Sequence, residues 1–156
     1  MKAILFAVVT TLTASVSAAD LIYVNTELAR NGETVDNFVA VTANGFTQPH
    51  RNVQLIKYRK SVANGKVEIA DLEVGTTASI TPVITSGGSI RLRFDVSYVR
   101  LMKMDTAKVG NTYIDLPRTE GFKFSSTDVV PNGERREYRS SQDGVEYIYT
   151  VAATKR

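Results

Sequence analysis

Apolar and polar residues alternate without a break over residues 90–98, IRLRFDVSY. Successive side chains of a β-strand point to opposite faces of the sheet, so this alternation predicts a strand with one buried and one solvated face. Residues 76–84 show a similar alternation, and the pair Gly87-Gly88 lies between the two segments. Two alternating runs around a glycine turn predict a β-hairpin within residues 72–102.

The same pattern predicts strands along most of the remaining chain. Thr and Val are abundant, which favours strands over helices. Turns are predicted at the residue groups 44–45 (NG), 64–65 (NG), 131–133 (PNG) and 143–144 (DG). We therefore expect an all-β fold in which antiparallel hairpins form a two-sheet sandwich. The expected strands are residues 21–24, 34–42, 53–62, 67–74, 76–84, 90–102, 113–116, 121–130, 137–141 and 145–152.

Three segments are predicted to lie outside the strands. Residues 26–33 contain good helix formers and could form one short helical turn. Residues 48–51 form a turn-like loop in this interpretation, and residues 104–111 form a polar connection.

The first 19 residues resemble a cleaved signal peptide. Lys2 precedes the largely apolar segment 3–12, and small residues at 15–19 allow cleavage after Ala18 or Ala19. A membrane-spanning helix needs about 20 apolar residues, so this run is too short to be one. We expect residues 1–19 to be a signal peptide and residues 20–156 to be a single β-rich domain.

The composition limits the compartment and the classes of partner. The chain has no cysteine, which suits an exported protein of the periplasm or outer membrane of a Gram-negative bacterium. Its 19 basic residues are nearly matched by 16 acidic ones. This mixed surface does not predict binding to nucleic acid.

No constellation of catalytic residues is visible in the sequence. His50 is the only histidine, and it is expected on the surface. A zinc site needs three or four Cys, His or carboxylate ligands, so we predict no metal, no cofactor and no enzymatic activity. A small hydrolase would need carboxylates that converge around His50 only in the folded chain.

Two groups of residues are candidate interface positions. Lys57, Arg59 and Lys60 crowd one segment together with Arg51. They could contact an acidic partner or lipid head groups, or they could be the solvated charges of an edge strand.

The second group consists of Tyr138, Tyr147 and Tyr149 in the last predicted hairpin. Tyrosine combines apolar area with a polar tip and suits an interface. The alternative is packing between neighbouring strands.

Residues 74–84, VGTTASITPVI, resemble the core of the secretin family. The resemblance continues through the turn 85–89 and the strand 90–99 to the segment 114–119, IDLPRT. It covers roughly residues 44–134. Secretins form outer-membrane rings for type II and type III secretion, type IV pili and filamentous phage export, so the resemblance implies a secretin-like double-sheet domain.

The resemblance implies a non-enzymatic component of a bacterial secretion, pilus or phage-export assembly. Its partners would be proteins of that system or further copies in a homo-oligomer, with membrane association. Residues 135–139 read RREYR where secretins carry an apolar run, so we expect a short stand-alone homologue rather than a complete pore. The alternative is a periplasmic β-sandwich that acts as a binding or adhesin-like module without secretin ancestry.

Overall fold

The computed structural model describes residues 20–156, so the predicted signal peptide lies outside the described residues. Eight strands account for most of this part of the chain, and it contains no helix, which confirms the predicted all-β class. A membrane-crossing helix is accordingly absent from residues 20–156. The strands are β1 (Leu21–Arg30), β2 (Glu33–Ala43), β3 (Gln48–Ala63), β4 (Lys66–Ile84), β5 (Ile90–Val109), β6 (Thr112–Val130), β7 (Arg135–Gln142) and β8 (Val145–Lys155).

The eight strands form two sheets, as predicted, and each sheet contains four strands. Sheet 1 has the order β2-β1-β8-β7, and sheet 2 has the order β3-β4-β5-β6. Every neighbouring pair is antiparallel. The first and last strands pair in the middle of sheet 1, while sheet 2 consists of two consecutive long hairpins.

The hydrophobic core lies between the two sheets. Ile90, Leu92 and Phe94 on β5 are fully buried, while the intervening Arg91 and Arg93 are exposed. The alternation in the sequence thus identifies the face of β5 that packs on sheet 1. From sheet 1 the core receives the apolar side chains Ile22, Val24, Leu28, Tyr147, Tyr149, Val151 and Ala153.

The three segments predicted to lie outside the strands are strands in the structure. Most of residues 26–33 belongs to β1, because Thr26 and Leu28 are buried on its core face. Packing of these side chains outweighs the helical preference of their neighbours. Residues 48–51 begin β3, and residues 104–109 continue β5 in pairing with β6.

Sheet 2 divides at Gly75. The pairing of β4 with β5 runs from Ile84 and Ile90 to Gly75 and Val99, and ends there. Beyond that point β4 pairs only with β3, and β5 only with β6. The two hairpins continue as separate extensions, which we call the first arm (residues 53–74) and the second arm (residues 100–120).

Candidate assembly interface

Each sheet has two free edges, and each free edge of sheet 1 lies beside a free edge of sheet 2. The edges are β2 and β7 in sheet 1, and β3 and β6 in sheet 2. Contacts join β2 to β3 on one side of the molecule, and β6 to β7 on the other. The domain therefore has two flanks, the β2/β3 flank and the β6/β7 flank, and each presents two unpaired strands.

A polar cluster holds the β2/β3 flank together. The Asp36 carboxylate on β2 accepts a hydrogen bond from Asn52 Nδ2 at 2.7 Å and lies 2.8 Å from His50 Nε2. Phe38 stacks on the His50 ring with centroids 4.4 Å apart. The His50 side chain is only 15% exposed, so the prediction of a surface histidine in a loop is wrong. Its ring instead joins the two sheets.

A second set of polar contacts joins sheet 1 to β6 on the opposite flank. The Tyr138 hydroxyl on β7 donates to Asp128 at 3.0 Å, and burial together with this carboxylate raises the pKa of Tyr138 to about 12. Arg30 Nε at the end of β1 donates to Glu120 at 2.5 Å. These contacts hold β6 against sheet 1, so β6 and β7 keep a constant position relative to each other.

The tyrosines of the last hairpin lie mainly in the core. Tyr147 and Tyr149 are 1% and 2% exposed, and burial raises the pKa of Tyr149 to about 12. Tyr149 packs on Phe94 at 5.4 Å and Tyr147 stacks on Phe122 at 5.1 Å, measured between ring centroids. These two side chains cannot reach a partner while the sandwich is intact. Their position agrees with the alternative of packing between strands.

The basic residues of β3 lie on a free edge of sheet 2. Lys57 is exposed and forms no ion pair within residues 20–156. Lys60 lies 3.7 Å from Glu68 on the adjacent strand of the same arm. Arg51 pairs with Glu73 at 2.7 Å, and both side chains are largely exposed. These pairs fit a solvated edge strand, and contact with a partner stays a prediction for this group.

Arg59 differs from the other basic residues because it reaches the second arm. Asp115 on β6 accepts hydrogen bonds from the Arg59 backbone N–H at 2.7 Å, from Nε at 3.0 Å and from Nη2 at 2.6 Å. The Asp115 side chain is only 13% exposed. The guanidinium and the backbone N–H of Arg59 together lower the pKa of Asp115 to about 2. The sequence singles out Arg59 but gives no sign of Asp115, which lies 56 residues away.

The two arms also carry much of the exposed apolar surface. Seven of the twelve exposed large hydrophobic residues among the described ones lie on the arms. The seven are Leu55, Val67, Ile69, Met102, Val109, Tyr113 and Leu116.

The crevice where the arms separate is lined by apolar and uncharged polar residues and by Arg100. Its volume is about 510 Å³, and residues such as Val53, Thr76, Tyr98 and Arg100 line it without any carboxylate. In residues 20–156 no three His, Cys, Asp or Glu side chains come together as metal ligands would. Asp36 is the only carboxylate that pairs with His50 in this part of the chain.

Comparisons with known proteins identify the fold. No family model matches the chain, and no curated protein matches it. Among solved structures, the chain is similar to InvG, the secretin of the Salmonella SPI-1 type III secretion injectisome, with a TM-score of 0.57 and 13% identity. The fold is that of a secretin domain.

The similarity covers most of this chain but only part of the InvG chains. The match includes 88% of this chain and 62% of that InvG chain. A structure of the injectisome basal body proteins InvG, PrgH and PrgK gives the same TM-score and identity, and there this chain covers 44% of the matched chain. A third InvG structure gives 0.55 and 12% identity. The secretin-like fold expected from the resemblance over residues 44–134 is thus confirmed, at identities that establish the fold alone.

Proposed function

We propose that this protein is a non-enzymatic, exported component of a bacterial secretion, pilus or phage-export assembly. It acts by pairing its free strands with further copies of itself. The observation that carries the proposal is the arrangement of the two flanks, each of which offers one edge of each sheet.

The directions of the edge strands suit head-to-tail pairing. In sheet 2, strands alternate in direction from β3 to β6, so β6 of one copy and β3 of the next would meet antiparallel. The same holds in sheet 1 for β7 and β2. Since β2 lies beside β3 and β7 beside β6, one displacement of the whole domain would extend both sheets at once. A repeated contact of this kind closes into a ring when the rotation allows it.

Two further observations support this role. The InvG structures belong to a secretion injectisome, and one of them also contains PrgH and PrgK. Residues 1–19 have the features of a signal peptide, which would bring the protein to the periplasm or outer membrane. The exposed Lys57 and Lys60 on β3 would remain available for an acidic protein or lipid head groups.

The proposal can be tested by measuring the mass of the mature protein over a range of concentrations. Light scattering after size-exclusion chromatography and negative-stain electron microscopy should detect rings or linear oligomers, with and without anionic lipid vesicles. A protein that stays monomeric under all these conditions would contradict the proposal and favour a β-sandwich binding module.

A matched pair of proline variants links assembly to the edges. Ser140 and Ser141 are adjacent on β7, so their N–H groups point to opposite sides of the strand. Proline removes the N–H. One of the two variants, Ser140→Pro or Ser141→Pro, removes an N–H that points outward, away from β8. That variant should keep its stability and lose assembly. The other should lose stability because it breaks a bond to β8.

A further inference from the structure

We propose that Arg59 and Asp115 form an exchangeable lock, which rests on the proposed function. In the free chain the pair holds the two arms together. During assembly it opens, and Arg59 of one copy binds Asp115 of the neighbouring copy. The partner of this surface is therefore a second copy of the same chain.

The first argument is the position of the pair. Arg59 lies on β3 and Asp115 on β6, which are the opposite edges of sheet 2. The two edges are nevertheless in contact, and they meet beyond the point where the pairing of β4 with β5 ends at Gly75. Under head-to-tail pairing the same two edges meet between copies. The contact inside one chain therefore occupies the edges that assembly requires.

The second argument is the chemistry of the contact. The backbone N–H of Arg59 points away from β4 and is bound by the Asp115 carboxylate at 2.7 Å. A neighbouring strand would normally accept such an edge N–H. The carboxylate thus takes the place of a strand partner, and the same Asp115 binds the guanidinium in a bidentate, charge-assisted geometry.

The third argument is that exchange conserves the interaction. An identical pair forms within the chain or between copies, as in domain swapping, so the exchange costs no hydrogen bonds. The closed pair would slow assembly without weakening the final contact.

Complementary charge variants test the exchange directly. Arg59→Asp places two carboxylates at the lock, and Asp115→Arg places two guanidinium groups there. Each variant alone should fail to assemble, because its like charges meet within the chain and between copies. In an equimolar mixture, the two variants alternate and every contact between copies is again oppositely charged. The mixture should assemble, and faster than the wild type, because neither chain can close its own lock.

The exposed pair Lys155 and Asp20 provides the matched control, since it lies at the ends of the central strands β8 and β1 of sheet 1 and not on a free edge. Lys155→Asp, Asp20→Lys and their mixture should all assemble like the wild type. If the wild type assembles but the mixture of lock variants does not, the exchange is overturned while the proposed function stands. Single lock variants that assemble normally would overturn the exchange as well. If every sample including the wild type stays monomeric, the proposed function fails instead.

A disulfide experiment gives a second readout should a charge variant misfold. The chain has no cysteine, so a disulfide within one molecule of the variant Arg59→Cys/Asp115→Cys can only join these two positions, and mass spectrometry of cross-linked peptides identifies which positions are joined between chains. Under oxidation the monomer fraction should contain bonds within chains, and the assembled fraction a ladder of bonds between chains. An assembled fraction with bonds only within chains would overturn the exchange.

Discussion

Gly75 on β4 pairs with Val99 on β5, and this is the last pair at which the two hairpins of sheet 2 are joined. The φ angle of Gly75 is +121°, and a Cβ at this position would lie 2.2 Å from the Asn52 carbonyl oxygen. On the other side of Val99, a Cβ at Gly121 would lie 2.8 Å from the Tyr98 carbonyl oxygen. Two glycines thus allow the close backbone approach at which the arms separate.

Gly75→Ala should lower the free energy of unfolding by about 2 kcal/mol or more, because the side chain meets backbone and the φ angle is unfavourable for alanine. Urea denaturation followed by circular dichroism measures the change. Gly87→Ala is the control, since Gly87 lies in a turn where an added Cβ would meet no atom within 4 Å, and it should change stability by less than about 0.5 kcal/mol. Equal losses for both variants would contradict a special role for Gly75.

Phe94→Ala should destabilise the domain by about 3–5 kcal/mol. Phe94 is fully buried and contacts the rings of Tyr138 and Tyr149 across the sandwich, so truncation leaves a cavity between the sheets. Thermal unfolding and urea titration measure the effect. Phe46→Ala removes the same ring from a site that is 69% exposed and should be nearly neutral. A small effect at Phe94 would mean that the sheets are not packed through this ring.

Asp36→Ala should lower stability by about 2 kcal/mol, because His50 and Asn52 lose the acceptor that joins β2 to β3. Relative to the wild type, exchange of backbone amides should accelerate more in β2 than in β8, and hydrogen-exchange mass spectrometry can measure this difference. Asp71→Ala, at an exposed carboxylate with no ion pair among the described residues, is the control. Unchanged protection of β2 would argue against this cluster as the link between the sheets.

The arms should open as the pH falls from about 4 to about 2. The pKa of Asp115 is lowered in the folded chain from 3.8 to about 2 by Arg59. A carboxylate whose pKa is lowered by folding stabilises the folded arrangement fully at pH values above its ordinary pKa. This stabilisation is lost as the pH falls through the pKa that the group has in the folded chain. Fluorescent labels at Lys66→Cys and Thr112→Cys, near the two arm tips, would report the separation.

The control for this pH dependence is Asp115→Asn, which cannot ionise. Its arms should show the same separation at pH 5 and pH 2, wider than in the wild type at pH 5. A wild-type separation that stays constant down to pH 2 would contradict the role of the Arg59–Asp115 pair in holding the arms.

Much of the strand content could be predicted from the pattern of residues, because a strand with one buried face carries apolar residues at every second position. The alternation over residues 90–98 predicts the buried face of β5 correctly. The length of β4 could not be predicted from the sequence. A glycine such as Gly75 can either end a strand or mark a point of close backbone approach within it, and the sequence does not distinguish the two. β4 runs through Gly75 without a break.

The candidate interface could be predicted only in part. The basic segment of β3 is visible in the sequence, and its position on a sheet edge agrees with its charge. The pairs Asp36–His50 and Arg59–Asp115 have no local signal, because their partners are 14 and 56 residues apart and meet only when the sheets form. The helical turn over residues 26–33 was predicted from local preference, which burial of Leu28 outweighs.

The sequence by itself determined that this chain forms β-hairpins with one apolar face, since alternation and turn residues act over short distances. The resemblance of residues 74–84 to secretins also lies in such a local pattern. Only the tertiary structure decided that β1 pairs with β8, that the free edges lie in two matched flanks, and that Arg59 meets Asp115. These relations depend on contacts between distant segments, whose free energy comes from packing the two sheets together.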